Sequence, residues 1–80
     1  MVLDFKNKTI IITGASRGIG EATAHHFANL NANVVLAARS KDKISTIART
    51  IGKNVLAVEC DIADPNQVND LMMKASKAFN

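Results

Sequence analysis

The sequence has 80 residues, enough for one small domain at most, with a net charge of +3, 48% hydrophobic residues and one cysteine. A single cysteine excludes an internal disulfide framework and a cysteine metal cluster, and it agrees with a reducing, cytoplasmic location. The basic residues are scattered, and Trp and Tyr are absent, so we expect no nucleic-acid partner. No apolar stretch approaches the ~18 residues of a membrane-spanning helix, so we expect no membrane segment.

The first half of the chain alternates between strand and helix patterns. The β-branched run at residues 8–13 predicts a buried parallel strand. Apolar residues then recur at helical spacing from Ile19 to Leu30, and Asn31 follows where a helix ends in the left-handed conformation. A second apolar run, at residues 33–38, predicts the second buried strand.

The second half repeats this alternation. Ser40 stands as the predicted N-cap of a second helix, and Gly52 ends it. Residues 55–58 predict a third strand, and Asp-Pro-Asn-Gln at residues 64–67 is typical of a helix start, with Asp as N-cap and Pro in the first helical position. The predicted apolar stripe of this third helix comprises Val68, Leu71, Met72, Ala75 and Phe79.

The order β-α-β-α-β-α indicates an α/β fold, the first half of a doubly wound parallel sheet with three strands and three helices. Right-handed crossovers place the first two helices on one face of the sheet. The third helix would serve the opposite face only if a fourth strand returned beyond the first, and the sequence contains none. We therefore expect the first strand to be an open edge, able to pair with another chain.

Three glycines, Gly14, Gly18 and Gly20, separate the first strand from the first helix. A glycine-rich turn that opens a helix presents free N–H groups and the positive end of the helix dipole to a phosphate. The P-loop of nucleotide triphosphatases ends in Gly-Lys-Ser/Thr, but here Glu21 follows Gly20, which excludes that site. The spacing also differs from Gly-x-Gly-x-x-Gly.

The stretch TGASRGIG at residues 13–20 resembles the TGxxxGxG cofactor motif of short-chain dehydrogenases/reductases. The resemblance continues at residues 37–40 (AARS) and 60–62 (CDI), and covers essentially the whole chain, but only about the first third of a typical family member. It implies that residues 1–80 are the N-terminal part of a single NAD(P)-binding Rossmann-like domain, truncated before its fourth strand. It also implies a parent protein that reduces carbonyls or oxidises alcohols and forms homo-oligomers.

The end of the second strand discriminates between the two nicotinamide cofactors. An acidic residue there would bind the adenosine ribose and repel a 2′-phosphate, but Ala38 stands in that place and Arg39 follows. Arg17 lies in the glycine loop, so two guanidinium groups would converge on one phosphate. Ser16 and Ser40 add hydroxyl donors. We therefore predict NADP(H) in preference to NAD(H).

The resemblance assigns further contacts to residues near the same ligand. It implies that the Asp61 carboxylate accepts from the adenine amino group, and that the backbone N–H groups of Ile62 and Ile19 bind adenine and pyrophosphate respectively. The predicted cofactor-binding residues are Gly14, Ser16, Arg17, Gly18, Ile19, Gly20, Arg39, Ser40, Asp61 and Ile62. We predict no metal site.

Catalysis in this family is implied to need a tyrosine, a lysine four residues later and a serine, and this sequence has no tyrosine. We therefore predict no catalytic residue in the chain. The favoured hypothesis is the cofactor-binding half of an NADP(H)-dependent oxidoreductase, a fragment inactive alone. Two alternatives stay open: a short non-catalytic nucleotide-binding or regulatory protein, and an interaction module that no longer binds cofactor.

Overall fold

The computed structural model of the chain describes residues 4–15 and 18–79. Strands and helices alternate along these residues as the sequence predicts, and each strand matches its predicted bounds to within one residue. The elements are β1 (Thr9–Thr13), α1 (Gly18–Asn29), β2 (Asn33–Ala38), α2 (Lys41–Ile51), β3 (Val55–Glu59) and α3 (Pro65–Phe79).

The three strands form one parallel sheet in the order β1-β2-β3. β2 is the central strand. Its Val34 pairs with Ile10 of β1 on one side and with Val55 of β3 on the other. Its residues from Val34 to Ala38 are all buried, as expected for a strand covered on both faces. The expectation that β1 is an edge strand is confirmed within the described residues.

Successive residues of each strand point to opposite faces and so divide the apolar side chains between two cores. α1 and α2 cover one face, where Leu36 of β2 packs with Ala24, Ile44 and Ile47. α3 covers the other face. The buried residues of that second core are Val35, Ala37, Val58, Cys60, Leu71 and Ala75. The fold is therefore a Rossmann-like α/β sheet with helices on both faces.

The position of α3 corrects one expectation. We expected this helix to serve the opposite face only with a fourth strand beyond β1, yet α3 packs against that face of the three-stranded sheet directly. Val35 and Ala37 of the central strand present apolar surface there, and Leu71 and Ala75 remove it from water. Burial of the second face, rather than a further strand, is sufficient to place the helix.

The predicted apolar stripe of α3 is correct except at Met72. Leu71 and Ala75 are buried and Val68 and Phe79 are partly buried against the same core, but Met72 is 54% exposed. Each helical residue is rotated by about 100° from the one before it, so Met72 lies beyond the edge of a narrow stripe centred between Leu71 and Ala75. A methionine beside the stripe therefore does not belong to the core.

Asparagines in the left-handed conformation precede all three strands. Asn7, Asn31 and Asn54 have φ values of 67°, 70° and 59°, and each lies one or two residues before the strand that follows it. Asparagine tolerates this conformation better than other non-glycine residues. The prediction of a left-handed Asn31 is confirmed, and a left-handed asparagine precedes each of the three described strands.

Candidate functional site

The carboxyl ends of the three strands meet at one edge of the sheet. There the structure brings together Gly14 after β1, Arg39 after β2 and Asp61 after β3. They border a cavity of about 590 Å³, which we call the strand-end cleft. Its lining residues are Gly14, Ala37, Ala38, Arg39, Ser40, Lys43, Cys60, Asp61 and Ile62. Ligands of open α/β sheets bind at this edge.

A second cavity, of about 630 Å³, lies over the start of α1 and shares Gly14 with the first. We call it the glycine-loop cleft. Its lining residues are Ile12, Thr13, Gly14, Gly18, Ile19, Gly20 and Thr23. Of the ten predicted cofactor-binding residues, Ser16 and Arg17 lie outside the described residues, and the other eight line one or both clefts.

The glycines of the loop differ in what requires them. Gly14 has a φ of +65°, a conformation that strains residues with a side chain. A Cβ on Gly20 would lie 2.7 Å from the Ala15 Cα and 2.8 Å from the Gly14 carbonyl oxygen, so the helix packs on the loop at this point. A Cβ on Gly18 would meet no described atom within 4 Å. The surface above Gly18 is thus open to a ligand.

At the end of β2 the buried Ala38 is followed by two exposed polar residues, Arg39 and Ser40. Ser40 occupies the predicted N-cap position of α2, but its side chain makes no capping hydrogen bond. Its hydroxyl group is therefore available to a ligand in the strand-end cleft. No acidic side chain stands at this strand end, since Ala38 occupies the place.

Hydrogen bonds within a turn hold Asp61 at the end of β3. Its Oδ1 accepts from the Ala63 N–H at 3.0 Å, and its own N–H donates to Gln67 Oε1 at 2.8 Å. The Asp64 N–H in turn donates to the Asp61 carbonyl at 3.0 Å. Asp61 thus shapes the turn before α3. Its Oδ2 has no hydrogen-bond donor among residues 4–15 and 18–79, and because Asp61 lines the strand-end cleft, this oxygen is an acceptor available to a ligand.

Cys60 packs as a buried apolar residue beneath the strand-end cleft. Its N–H donates to the Ala38 carbonyl at 2.9 Å, which ties the ends of β2 and β3 together. Burial raises the pKa of its thiol, and the nearby carboxylates of Asp61, Asp64 and Asp70 raise it further. The thiol is therefore protonated and unreactive at neutral pH.

Sequence reasoning missed Lys43 as a lining residue of the strand-end cleft. It lies in the first turn of α2, and only the arrangement of α2 against the strand ends brings it to the cleft. Among the residues the structure describes, no group of three or more His, Cys, Asp or Glu side chains is arranged to hold a metal ion. None of the described helices is long and apolar enough to cross a membrane.

A parallel sheet with a glycine-rich turn at its carboxyl edge defines a Rossmann-like fold. Residues 8–80 match the family model described as short chain dehydrogenase, and the chain belongs to that family.

Individual relatives agree with this assignment. The chain is 40% identical over 79 residues to a probable 2,4-dienoyl-CoA reductase of Caenorhabditis elegans, a match that covers 94% of this chain and 26% of that protein. A 3-ketoacyl-(acyl-carrier-protein) reductase from Brucella melitensis, solved with NADH, is 36% identical with a TM-score of 0.91, covering 95% of this chain and 31% of that one. A metagenomic short-chain oxidoreductase solved with NADP is 31% identical with a TM-score of 0.86, and the match covers 94% of this chain and 35% of that one. The chain thus spans about a quarter to a third of these proteins.

Proposed function

We propose that residues 1–80 form the cofactor-binding part of a single Rossmann-like domain in an oxidoreductase that uses NADP(H) to interconvert carbonyls and alcohols. The observation that carries this proposal is the pair of adjoining clefts that share Gly14 at the carboxyl edge of the sheet. Together they offer one continuous surface for an extended two-part ligand. Relatives of similar fold bind NADH or NADP.

The described residues fit a dinucleotide at both clefts. The surface above Gly18, beside the first turn of α1, suits a pyrophosphate, because a helix N-terminus favours anions and no described side chain lies within 4 Å of the position a Cβ on Gly18 would take. In the strand-end cleft, the free Oδ2 of Asp61 suits an amino group of adenine. Ile19 and Ile62, whose backbone N–H groups are the remaining proposed contacts, line the glycine-loop and strand-end clefts respectively.

The preference for NADP(H) rests on the end of β2. An acidic residue there would repel a 2′-phosphate, and Ala38 carries no charge. The exposed guanidinium of Arg39 and the uncommitted hydroxyl of Ser40 are donors suited to that phosphate. Ser16 and Arg17 remain proposed contacts on the ground of the sequence motif. A bound NADPH would supply the hydride for carbonyl reduction, and NADP⁺ would accept it in alcohol oxidation; these residues would bind and orient the nucleotide half of the cofactor.

The experiment is the substitution Arg39→Asp in the complete protein, with dissociation constants measured for NADP⁺ and NAD⁺. We expect the affinity for NADP⁺ to fall at least about tenfold while that for NAD⁺ is retained, because the substitution exchanges an attractive charge for a repulsive one. Arg49→Asp is the matched control, since Arg49 is exposed on α2 and bonds only to Thr46 among the described residues. An unchanged NADP⁺/NAD⁺ preference in the Arg39 variant would refute the assignment.

The same samples separate the oxidoreductase from the alternatives. Because residues 1–80 contain no tyrosine, we propose that the catalytic residues lie elsewhere in a longer parent protein. Nucleotide binding without turnover of any carbonyl or alcohol in the complete protein would favour the non-catalytic binding protein instead. Failure of nucleotide to raise the melting temperature would favour an interaction module. The small substrate, homo-oligomeric parent, pairing of the β1 edge and cytoplasmic location stay predictions.

A further inference from the structure

Lys43 places a second cation at the strand-end cleft. α2 begins at Lys41, so Lys43 is its third residue, and helical side chains incline toward the N-terminus of their helix. This inclination directs the ammonium group toward the end of β2, where Arg39 and Ser40 line the same cleft. Among the described lining residues, two basic side chains thus face a single carboxylate, that of Asp61.

The Lys43 ammonium group is not committed to another contact within residues 4–15 and 18–79. There Lys74 pairs with Asp70 and Glu21 lies 3.9 Å from His25, and no described hydrogen bond begins at the Lys43 side chain. Lys41, two residues earlier, behaves differently: its Nζ donates to the Ala57 carbonyl at 2.8 Å.

Two carboxylates line a second cavity that Lys43 also borders. Glu21 of α1 and Asp42 of α2 line a shallow cavity of about 360 Å³ between the two helices, and Lys43 lines that cavity as well. The flexible four-carbon stem of lysine allows the ammonium to reach either side. Both carboxylates lie beyond 4.0 Å, so neither forms an ion pair with Lys43 in the described structure.

We propose that Lys43 is a specificity-determining residue that acts with Arg39 on the 2′-phosphate of NADP(H); this inference rests on the proposed function. A 2′-phosphate carries up to two negative charges, and Arg39 supplies one positive charge from one side. The Lys43 ammonium supplies the second from the first turn of α2, as a point charge that requires no particular bidentate geometry. NAD(H), which has a hydroxyl group in that place, gains nothing from Lys43.

The test uses two small ligands that differ by the phosphate in question: adenosine 2′,5′-bisphosphate and adenosine 5′-monophosphate. Dissociation constants for both, and for NADP⁺ and NAD⁺, are measured by calorimetry on the complete protein. Lys43→Gln removes the charge and keeps most of the side-chain length. We expect about tenfold weaker binding of the bisphosphate and of NADP⁺, the effect of one charge-assisted contact, with the other two ligands changed less than about twofold.

Lys41→Gln is the matched control, because it removes the same charge from the same helical turn while its side chain points to β3 instead of the cleft. We expect it to leave the ratio of the two adenosine affinities unchanged. Lys43→Arg restores the charge and is expected to recover most of the lost affinity. In the double variant Arg39→Gln/Lys43→Gln, the combined loss for the bisphosphate should differ from the product of the single losses, since both side chains contact one phosphate.

The outcomes separate this inference from the function on which it rests. Equal binding of NADP⁺ and NAD⁺ by the unmodified protein would overturn the proposed cofactor preference and Lys43 with it. A strong NADP⁺ preference that Lys43→Gln leaves intact would overturn the role of Lys43 alone and assign its side chain to Glu21 and Asp42. An equal loss of bisphosphate and NADP⁺ affinity in Lys41→Gln would also overturn the role of Lys43. The loss would then come from removing any positive charge near the start of α2.

Discussion

Three glycines in one loop are required for three different reasons. Gly14 supplies a positive φ, and Gly20 supplies the space in which the start of α1 packs against Ala15. Gly18 has neither constraint: its φ is not positive, and no atom of residues 4–15 and 18–79 lies within 4 Å of the position a Cβ would take. A loop shaped by folding alone would not need a glycine at residue 18. We infer that Gly18 serves the ligand and that the other two serve the loop.

Alanine substitutions distinguish these roles. Gly20→Ala places a Cβ 2.7 Å from a backbone atom, and we expect it to lower the free energy of unfolding by about 1–3 kcal/mol. Gly18→Ala should leave stability unchanged or slightly higher, because alanine favours helices, while nucleotide affinity falls. Urea denaturation and nucleotide titration of both variants check the prediction. A Gly20→Ala variant as stable as the unmodified protein would contradict the packing argument.

At the scale of elements, the start of α3 also shapes one wall of the strand-end cleft. Asp64 Oδ1 accepts from the Asn66 N–H at 3.0 Å, and its Oδ2 accepts from Gln67 Nε2 at 3.1 Å. Gln67 then accepts from the Asp61 N–H through Oε1. The sequence predicted the N-cap, but Gln67 contacts two residues: its Nε2 donates to the capping Asp64, and its Oε1 accepts from the Asp61 N–H. The cap and the cleft residue are therefore linked through one side chain.

Removing this cap has a measurable cost. We expect Asp64→Ala to lower the free energy of unfolding by about 1 kcal/mol, since the first turn of α3 loses its side-chain acceptor. Asp64→Asn is the control, because asparagine is an equally good N-cap residue, and its loss should be below about 0.5 kcal/mol. Chemical denaturation followed by circular dichroism measures both. Equal losses would show that the carboxylate, rather than the cap, stabilises this turn.

Local sequence patterns predicted the helices and strands. They did not predict contacts between residues that are far apart in the sequence. Strand bounds, the left-handed Asn31 and the end of α2 at Gly52 follow from residue type and spacing within a few positions. The bond from Lys41 to Ala57 joins residues 16 positions apart, and an exposed lysine in a sequence carries no sign of such a partner. The same limit applies to Lys43, since its approach to the cleft depends on how α2 packs against β2 and β3. Local spacing likewise predicts the centre of the apolar stripe of α3 but not its width. For this reason the prediction from sequence wrongly included Met72 in the core.

At the scale of the whole molecule, β2 joins the two cores. Leu36 packs beneath α1 and α2, and its neighbours Val35 and Ala37 pack beneath α3. The order of helices and strands predicted this arrangement, apart from the ability of α3 to cover its face without a fourth strand. Cys60 lies where the second core meets the strand-end cleft, so its ionisation is coupled to the integrity of that core.

This coupling predicts a dependence of stability on pH. Burial and the carboxylates nearby raise the pKa of Cys60 in the folded chain, so the unfolded thiol, with a pKa near 8.5, ionises first as pH rises. Above that pH the unfolded state binds fewer protons, and the free energy of unfolding falls until the folded thiol ionises too. Urea titrations at pH 7.5 and 9.5 should show a larger fall for the unmodified protein than for Cys60→Ala. Equal falls in the two proteins would contradict the prediction.

The asparagines before each strand divide the sheet into two ends that tolerate engineering differently. At the amino end, Asn7, Asn31 and Asn54 each adopt a positive φ, a conformation that glycine also tolerates. The turn around Asn54 is exposed and lies at the opposite end of the strands from both clefts. Fluorophores, affinity tags or inserted peptides placed there would leave both clefts untouched, whereas the turns after the strands line those clefts.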